Sequence, residues 1–305
     1  MKRTYLLLLF LLLALPGYGQ RTGLELKSDY NSNNELVITA QKTALGTHYL
    51  EIHFTELTNS NFHQRVFRRT LKNGGEVLKI GAVTRESYPT VRYRYTYWRA
   101  NPDAKPDTAF VYRLPYSTQS ERQVDSLYLI RGSRRQNNID WHAMQFKTQP
   151  GDTIYAVRAG LVIETTRADE ENRVESLSTG RITFDRNVNQ ILIEHEDGTY
   201  ADYTVLDTMF VRSSDRVWPD TPLGITGTYD DNIYQTRLSI YYMRIAPKNS
   251  ADETTSFLYH YLRPVFATAA GETKLTMHRY YRPVAPVELI TREMPRREAR
   301  KYQGQ

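Results

Sequence analysis

The segment NQILIEHEDGTYADYTVLD, residues 189–207, decides the fold of the second half of this chain. Its first part alternates between apolar and polar residues, as a half-buried β-strand does. Asp197-Gly198 then supplies the two residues that a tight turn between strands needs. A second alternating run continues to Asp207. The segment therefore predicts two antiparallel strands joined by a short turn.

The N-terminal part of the chain is also predicted to be all-β. Between Leu24 and Tyr116, short runs rich in Val, Ile, Tyr and Phe alternate with stretches that contain the Asn, Gly, Pro and Asp that turns need. These runs are ELVITA, HYLEIHF, EVLKIGAV, VRYRYTYW and TAFVYRL. About six or seven strands at this spacing are typical of an immunoglobulin-like sandwich. We predict such a sandwich over residues 21–116.

The remaining boundaries follow from changes in composition. The polar stretch STQSERQVDS, residues 117–126, lacks aromatic residues and predicts a linker. A second β-rich domain is predicted over residues 127–283, including its C-terminal strands. Residues 284–305, which contain REMPRREARKYQ, predict a charged, solvated tail with helical character.

Three segments of the second domain together resemble a known family. They are QPGDTIYAVRAGLVIET at 149–165, the segment at 189–207, and DRVWPDTPLGITGTYDD at 215–231. In this order they resemble the M23 family, the LytM-type or lysostaphin-like zinc endopeptidases that cut peptidoglycan cross-links. The resemblance implies an antiparallel β-sheet domain. It is interrupted by the polar insertion at 166–187.

The site residues that the resemblance implies are all replaced. The family holds zinc with a His and an Asp four residues apart and with the second His of a His-x-His pair. The first His of that pair and the His of Tyr-x-His-Leu handle protons and the developing oxyanion. In this chain the five positions fall on Trp141, Gln145, Val205, Arg237 and Ser239.

These replacements do not suit zinc. The metal needs lone-pair donors at about 2.0–2.3 Å, and a catalytic site supplies about three of them. An indole N–H only donates hydrogen bonds, and valine has no lone pair. Arg237 is a permanent cation and repels a divalent one. Gln145 and Ser239 are feeble neutral ligands. We therefore predict no metal, no cofactor and no catalysis by this mechanism; zinc is expected only if the ligand positions lie elsewhere.

Two histidines bear on whether the family's ligand positions are assigned to the right residues. A shift by one residue would bring His142 to the first ligand position, but its partner four residues on would be Phe146, which cannot bind a metal. Asp140 and His142 share one side of a strand, yet no third ligand is near them in sequence. His195 occupies a position of the hairpin where the resembling family has a histidine that does not touch the metal, so we expect it to be structural or solvent-facing.

A rebuilt site is the alternative. Asp202 and the pair Asp230-Asp231 can converge with Arg237 and present carboxylates and a guanidinium to a peptide or a sugar acid. The interpretation without a binding site is that Asp202 points to solvent and that Asp230-Asp231 forms a turn. The predicted ligand-binding groove comprises Trp141, Asp202, Tyr203, Asp230 and Arg237.

The first residues predict export. Met1-Lys2-Arg3 is followed by an apolar run from Tyr5 to Leu15 and then by small residues. This pattern is typical of a secretory signal peptide over residues 1–19, with cleavage expected before Gln20. No later segment is apolar enough to span a membrane. A secreted or periplasmic location is expected, and the absence of cysteine excludes a disulfide framework.

The 40 Lys and Arg residues give a net charge of +6, but outside the tail they are scattered, so nucleic acid is not an expected partner. Three functions remain open. The first is a non-catalytic, M23-like envelope protein that binds peptidoglycan or regulates a cell-wall hydrolase. The second is an active metalloendopeptidase or hydrolase with relocated site residues. The third is a passive structural or adhesive β-protein.

Overall fold

Strands make up most of the ordered structure, as the alternating sequence patterns predict. The computed structural model describes residues 23–84, 87–126, 142–168, 189–230, 233–248 and 254–303. The predicted signal peptide and most of the polar insertion lie outside these residues. Within them, no helix is long and apolar enough to cross a membrane.

The N-terminal part contains two three-stranded antiparallel sheets. Their strands are β1 (Leu24–Tyr30), β2 (Leu36–Lys42), β3 (His48–Thr58), β4 (Val66–Leu71), β5 (Gly75–Ile80) and β6 (Thr90–Arg99). One sheet has the order β1-β2-β5 and the other β4-β3-β6. Apolar residues of both sheets, such as Ile38 and Ile52, share one core and are fully buried. The two sheets thus form a sandwich; its immunoglobulin-like character stays a prediction.

One large sheet carries the second half of the chain. Its strands are β8 (Arg122–Ser126), β9 (Met144–Lys147), β10 (Thr153–Tyr155), β11 (Gly160–Thr166), β12 (Asn189–Glu194), β13 (Tyr200–Met209), β14 (Arg216–Val217), β15 (Pro222–Asp230), β16 (Ile233–Ile245), β17 (Phe257–Tyr261) and β20 (Tyr280–Tyr281). The main order is β14-β11-β12-β13-β15-β16-β9-β8-β20. β10 joins β15, β17 joins β16, and β13 also pairs with β16.

Two boundaries differ from the predicted ones. Residues 117–126 are not only a linker, because β8 belongs to the large sheet, where Val124 lies opposite Phe146 and both are buried. The run TAFVYRL does not join the sandwich. Its strand, β7 (Val111–Arg113), pairs in parallel with β18 (Val265–Thr268), and β19 (Gly271–Lys274) completes this fourth sheet.

The C-terminal tail is short and partly helical. It forms α1 (Val287–Thr291) and α2 (Arg296–Gln303). Leu289 and Ile290 of α1 are buried, whereas no residue of α2 is. Glu293, between the helices, pairs with Arg158 at 2.8 Å and so fixes this part of the tail to the large sheet.

The segment at 189–207 forms the predicted hairpin. β12 and β13 are antiparallel, with Ile191 opposite Tyr203 and Glu194 opposite Tyr200. Ile191 and Tyr203 point into the main core of the large sheet and are fully buried. Burial of each such apolar side chain contributes about 1.5–3 kcal/mol. Since a slip of one residue would turn every side chain to the opposite face, this burial fixes the register.

The sandwich packs against the opposite face of the large sheet. Tyr49 and Ala100 of the sandwich region share a cluster with Ile163, Leu192 and Tyr200 of the large sheet. Backbone N–H of Thr47 also donates to Glu194 Oε2 at 2.7 Å. One end of this face is therefore covered by the sandwich.

A buried glutamate strengthens this contact. Glu51 of β3 is 2% exposed and accepts a hydrogen bond from Thr255 Oγ1 at 2.6 Å. Burial alone would raise the pKa of Glu51, but the Thr255 hydrogen bond and the charges of Arg68, Lys248 and His53 outweigh it and hold the pKa below its ordinary value. Thr255, just before β17, is thereby attached to the sandwich.

The packing of the hairpin turn can be tested with a matched pair of glycine variants. Gly198 has φ +82°, and a Cβ added there would lie 2.7 Å from the Cβ of Ala104. Gly151 has φ +81°, but a Cβ there would meet nothing within 4 Å. Both Gly→Ala changes cost about 1 kcal/mol for the left-handed backbone, and Gly198→Ala costs about 1–3 kcal/mol more because it overpacks the contact.

Urea unfolding of the two variants measures this difference directly. We expect Gly198→Ala to lower the free energy of unfolding clearly more than Gly151→Ala does. Equal losses would contradict the close packing of the hairpin turn against residues 101–104.

Candidate functional site

Strand register brings several of the predicted site positions together on one face of the large sheet. Thr204 lies opposite Arg237 on one side and opposite Gln190 on the other. Arg237 in turn lies opposite Gln145. Asp202 lies opposite Ser239. Directly opposed residues share a face of a sheet, so we define the polar face by this set: Gln145, Gln190, Asp202, Thr204, Arg237 and Ser239.

Tyr203 does not belong to this face, although it was predicted to line the groove. Successive side chains of a strand point to opposite faces, so Tyr203 points away from its neighbour Asp202. It is fully buried in the main core, where its hydroxyl oxygen accepts a hydrogen bond from the backbone N–H of Val157 at 2.8 Å. The prediction that Tyr203 lines the groove is therefore wrong.

Val205 occupies an irregular position of β13. On the neighbouring strand Gln190 pairs with Thr204 and Asn189 with Leu206, so Val205 is the extra residue of a β-bulge. Its φ is +63°, which is unusual for a β-branched residue and costs about 1–3 kcal/mol. Val205 is also buried, at 2% exposure. The position that would carry a catalytic histidine therefore holds an apolar, strained and inaccessible side chain.

The donor atoms of the polar face do not fit a zinc ion. Gln145 offers a metal only a neutral amide oxygen, and its Nε2 donates to Gln235 Oε1. Arg237 is a cation, Val205 has no donor atom, and the hydroxyl of Ser239 is a weak neutral ligand. Among the residues that the structure describes, no group of three His, Asp or Glu side chains could hold a metal ion.

The other predicted positions have separate outcomes. Trp141 and Asp231 lie outside the described residues, and Asp230 is the last residue of β15. His142 precedes β9 and is half-buried. Phe146, its partner in the shifted alignment, is fully buried in the core and cannot ligate.

His195 is structural rather than solvent-facing, because it is only 2% exposed. Its Nδ1 lies 2.8 Å from Thr199 Oγ1, which itself donates to Asp197 Oδ1 at 2.7 Å. Since the threonine hydroxyl donates to the carboxylate, it accepts from His195 Nδ1–H. Burial and then the charge of Arg158 hold the pKa of His195 well below its ordinary value. The imidazole is therefore neutral and braces the turn.

Arg158 extends this brace beyond the hairpin. Its guanidinium donates to Asp197 Oδ2 at 2.7 Å and pairs with Glu293 of the tail. The same group lies 3.9 Å from the ring centre of Phe110. Side chains of the hairpin, the tail and the segment before β7 are thus held by one buried cation.

Asp202 is the titratable group of the polar face. Its Oδ1 accepts a hydrogen bond from Gln190 Nε2 at 2.8 Å. Burial raises the pKa of Asp202 to about 6, against the opposing effects of the Gln190 hydrogen bond and the Arg237 charge. Gln190 was not predicted as a site residue. Its signal in the sequence was the strand alternation, which places it on the same face as Asp202.

Tyrosines extend the polar face towards the sandwich. We define the tyrosine cluster as Tyr241, Tyr259 and Tyr261. The Tyr241 ring centre lies 5.5 Å from that of Tyr259 and 5.4 Å from that of Tyr261. Tyr241 lies opposite Tyr261 and also opposite Tyr200, two residues before Asp202. Asp202 therefore lies between the rest of the polar face and the rings of the tyrosine cluster.

Comparison with known proteins gives matches only among solved structures. No family model matches the chain, and neither does any curated protein. The NMR solution structure of lysostaphin is 18% identical, with a TM-score of 0.28 over 44% of this chain and 47% of lysostaphin. The chain therefore spans about half the length of lysostaphin (47%).

Two further matches are named as peptidases. The M23 metalloprotease pseudoalterin from the deep sea is 13% identical, with a TM-score of 0.31 over 58% of this chain and 99% of pseudoalterin. A zinc-containing peptidase from Vibrio cholerae is 13% identical, with a TM-score of 0.29 over 71% of this chain and 81% of that peptidase. The overlaps are too loose to transfer a residue role or an activity to this chain.

The raised pKa of Asp202 predicts that Asp202→Asn increases the stability of the fold, and that the increase depends on pH. The folded-state pKa of about 6 lies above the ordinary aspartate value of 3.8, so the folded chain binds the proton more tightly than the unfolded chain does. The wild-type chain therefore loses stability as the pH rises through this window, and ionised Asp202 is a cost at pH 8. Asparagine removes this cost while its Oδ1 still accepts from Gln190.

Urea unfolding at pH 8 and pH 4 tests this expectation. We expect Asp202→Asn to be more stable than wild type at pH 8 by about 1–2 kcal/mol, after allowance for solvent screening, and close to wild type at pH 4. Asp207→Asn, at an exposed position further along β13, is the control and should show no such gain. A gain at pH 8 no larger than that at pH 4 would show that Asp202 is not held in a destabilising environment.

Proposed function

We propose that this chain is a non-catalytic, M23-like protein of the cell envelope whose polar face binds peptidoglycan. The observation that carries the proposal is the composition of the polar face. Strand pairing brings Gln145, Arg237 and Ser239, which stand at three of the five positions that the family resemblance implies, to one face, and Val205 at a fourth is buried. Gln145 and Arg237 are half-buried and can form hydrogen bonds with a polymer, whereas Ser239 is buried, and none of these side chains can activate water through a metal.

The charge of Arg237 favours binding over a passive structural role. Its guanidinium is half-buried and close enough to Asp202 to lower the pKa of that carboxyl group. Arginine is enriched where proteins recognise carboxylates and polar ligands, because its donors have a fixed geometry. A cell-wall hydrolase is the alternative partner of this face. A chain that binds such a hydrolase but not the polymer would not pellet with sacculi.

Co-sedimentation with purified peptidoglycan sacculi tests the proposal. We expect the wild-type chain to pellet with sacculi and Arg237→Ala to weaken binding about tenfold, the loss expected when a charged hydrogen-bond donor is removed. Arg300→Ala is the matched control, because Arg300 is exposed on α2 and its loss changes the net charge equally. We expect this variant to bind like wild type.

Two outcomes would contradict the proposal. If the wild-type chain does not pellet with sacculi, the polymer is not its ligand. If the chain releases soluble fragments from sacculi, it is an enzyme, and a relocated site must replace the family positions.

A further inference from the structure

The carboxyl group of Asp202 has one oxygen available for a ligand. Oδ1 accepts the hydrogen bond from Gln190, whereas Oδ2 accepts no hydrogen bond from any residue that the structure describes. Asp202 is half-buried, so this oxygen can be reached from outside the sheet. A ligand with hydroxyl or N–H donors can therefore take the place of water at Oδ2.

The tyrosine cluster lies beside Asp202 on the same face of the sheet, because Tyr241 is opposite Tyr200, two residues before Asp202. Burial and then the negative charge of Asp202 raise the pKa of Tyr241 and of Tyr261, so both phenols stay protonated at neutral pH. Within the described part of the chain, neither hydroxyl donates a hydrogen bond to another residue. Two donors and one acceptor are thus grouped at one end of the polar face.

Part of this group is accessible. Tyr259 is 44% exposed, and Tyr261 is half-buried at the end of β17. An exposed aromatic ring offers a flat apolar surface with a polar tip, at little cost in conformational entropy. The ring of Tyr259 can therefore contact the apolar side of a ligand while Asp202 contacts its polar groups.

Extended peptides are less suited to this place. Peptides often bind a sheet by adding a strand to a free edge. At Tyr241 both edges of β16 are occupied, since Tyr200 lies opposite on one side and Tyr261 on the other. A ligand here has to be recognised by side chains alone.

We propose that Asp202 and the tyrosine cluster bind a neutral, hydroxyl-rich sugar unit of a glycan. A sugar ring has hydroxyl donors for Asp202, acceptors for the phenols and a C–H surface for Tyr259. An apolar ligand would leave Asp202 Oδ2 without a donor, and a ligand with an anionic group at this place would face the carboxylate of Asp202. This inference rests on the proposed function and names the glycan, rather than the peptide, as the part of the polymer that is bound here.

Calorimetric titration with a defined oligosaccharide tests this site. The probe is the β-1,4-linked hexamer of N-acetylglucosamine, and a synthetic sugar-free stem peptide is titrated in parallel. We expect binding of the hexamer, with affinity lowered about tenfold or more by Asp202→Asn and by Tyr259→Ala, as expected for residues that contribute directly to a ligand contact.

Two controls separate binding from folding. Tyr280→Ala removes a tyrosine that is 61% exposed on β20, which joins the sheet through β8 rather than β16, and should leave hexamer binding unchanged. Asp202→Asn keeps the shape of the side chain, and its unfolding curve shows directly whether the variant is folded.

Sacculi in a third arm distinguish the two proposals. If sacculi bind but the hexamer does not, the glycan site is wrong and the proposed function stands. If the hexamer binds but Asp202→Asn and Tyr259→Ala bind it like wild type, the glycan site is also wrong. If neither sacculi nor the hexamer binds, both proposals fail.

Discussion

The pairing of β13 with β16 is the constraint on which the candidate site depends. It places Asp202 opposite Ser239 and Thr204 opposite Arg237, and it sends Tyr203 and Leu238 into the core on the other side. Because the side-chain period of a strand is two, a slip of one residue would bury the polar face and expose the core. The apolar face thus fixes the position of the polar one.

β13 changes partner at Val205. Up to Thr204 the strand pairs with β16, and from Leu206 it pairs with β15. Val205, with its positive φ, lies at this change. Bulges often lie beside functional sites, where they redirect a side chain or end a pairing. In this chain the bulge lies where β13 changes partner, and its buried valine has no polar atom that could bind a ligand.

Asp202 and His195 show how differently two buried titratable groups can be used. His195 is bonded to Thr199 through Nδ1, and burial and then the charge of Arg158 hold its pKa low, so the neutral ring braces the turn. Asp202 has one oxygen paired and lies at the edge of an accessible aromatic cluster. A group that costs stability and keeps a free acceptor is typical of a binding position, since sites often sacrifice stability for function.

Much of the fold could be predicted from local patterns. Alternation and the Asp197-Gly198 turn give the hairpin, because both signals act over a few residues. β8 was missed because RQVDS has one apolar residue, Val124, and only its burial against Phe146 identifies it as a strand of the sheet. Local alternation also does not tell which strands pair, so it misassigned the strand at Val111–Arg113 to the sandwich.

The site was predictable in part. The positions Gln145, Arg237 and Ser239 were found through the family resemblance, and the register places them on one face. The error at Tyr203 was avoidable, since adjacent residues of a strand cannot share a face. The tyrosine cluster was not predictable, because Tyr241 and Tyr259 meet only through the pairing of β16 with β17. Pairing between separate segments depends on the whole fold.

The central claim is that the polar face, together with Val205, has no set of ligand atoms for a divalent metal. Its most direct test is the zinc content of chelator-free protein after equilibration with excess zinc and removal of the unbound metal, measured by elemental analysis. The account predicts far less than one zinc per chain. One tightly held zinc per chain, lost on chelation together with a fall in the melting temperature, would contradict it.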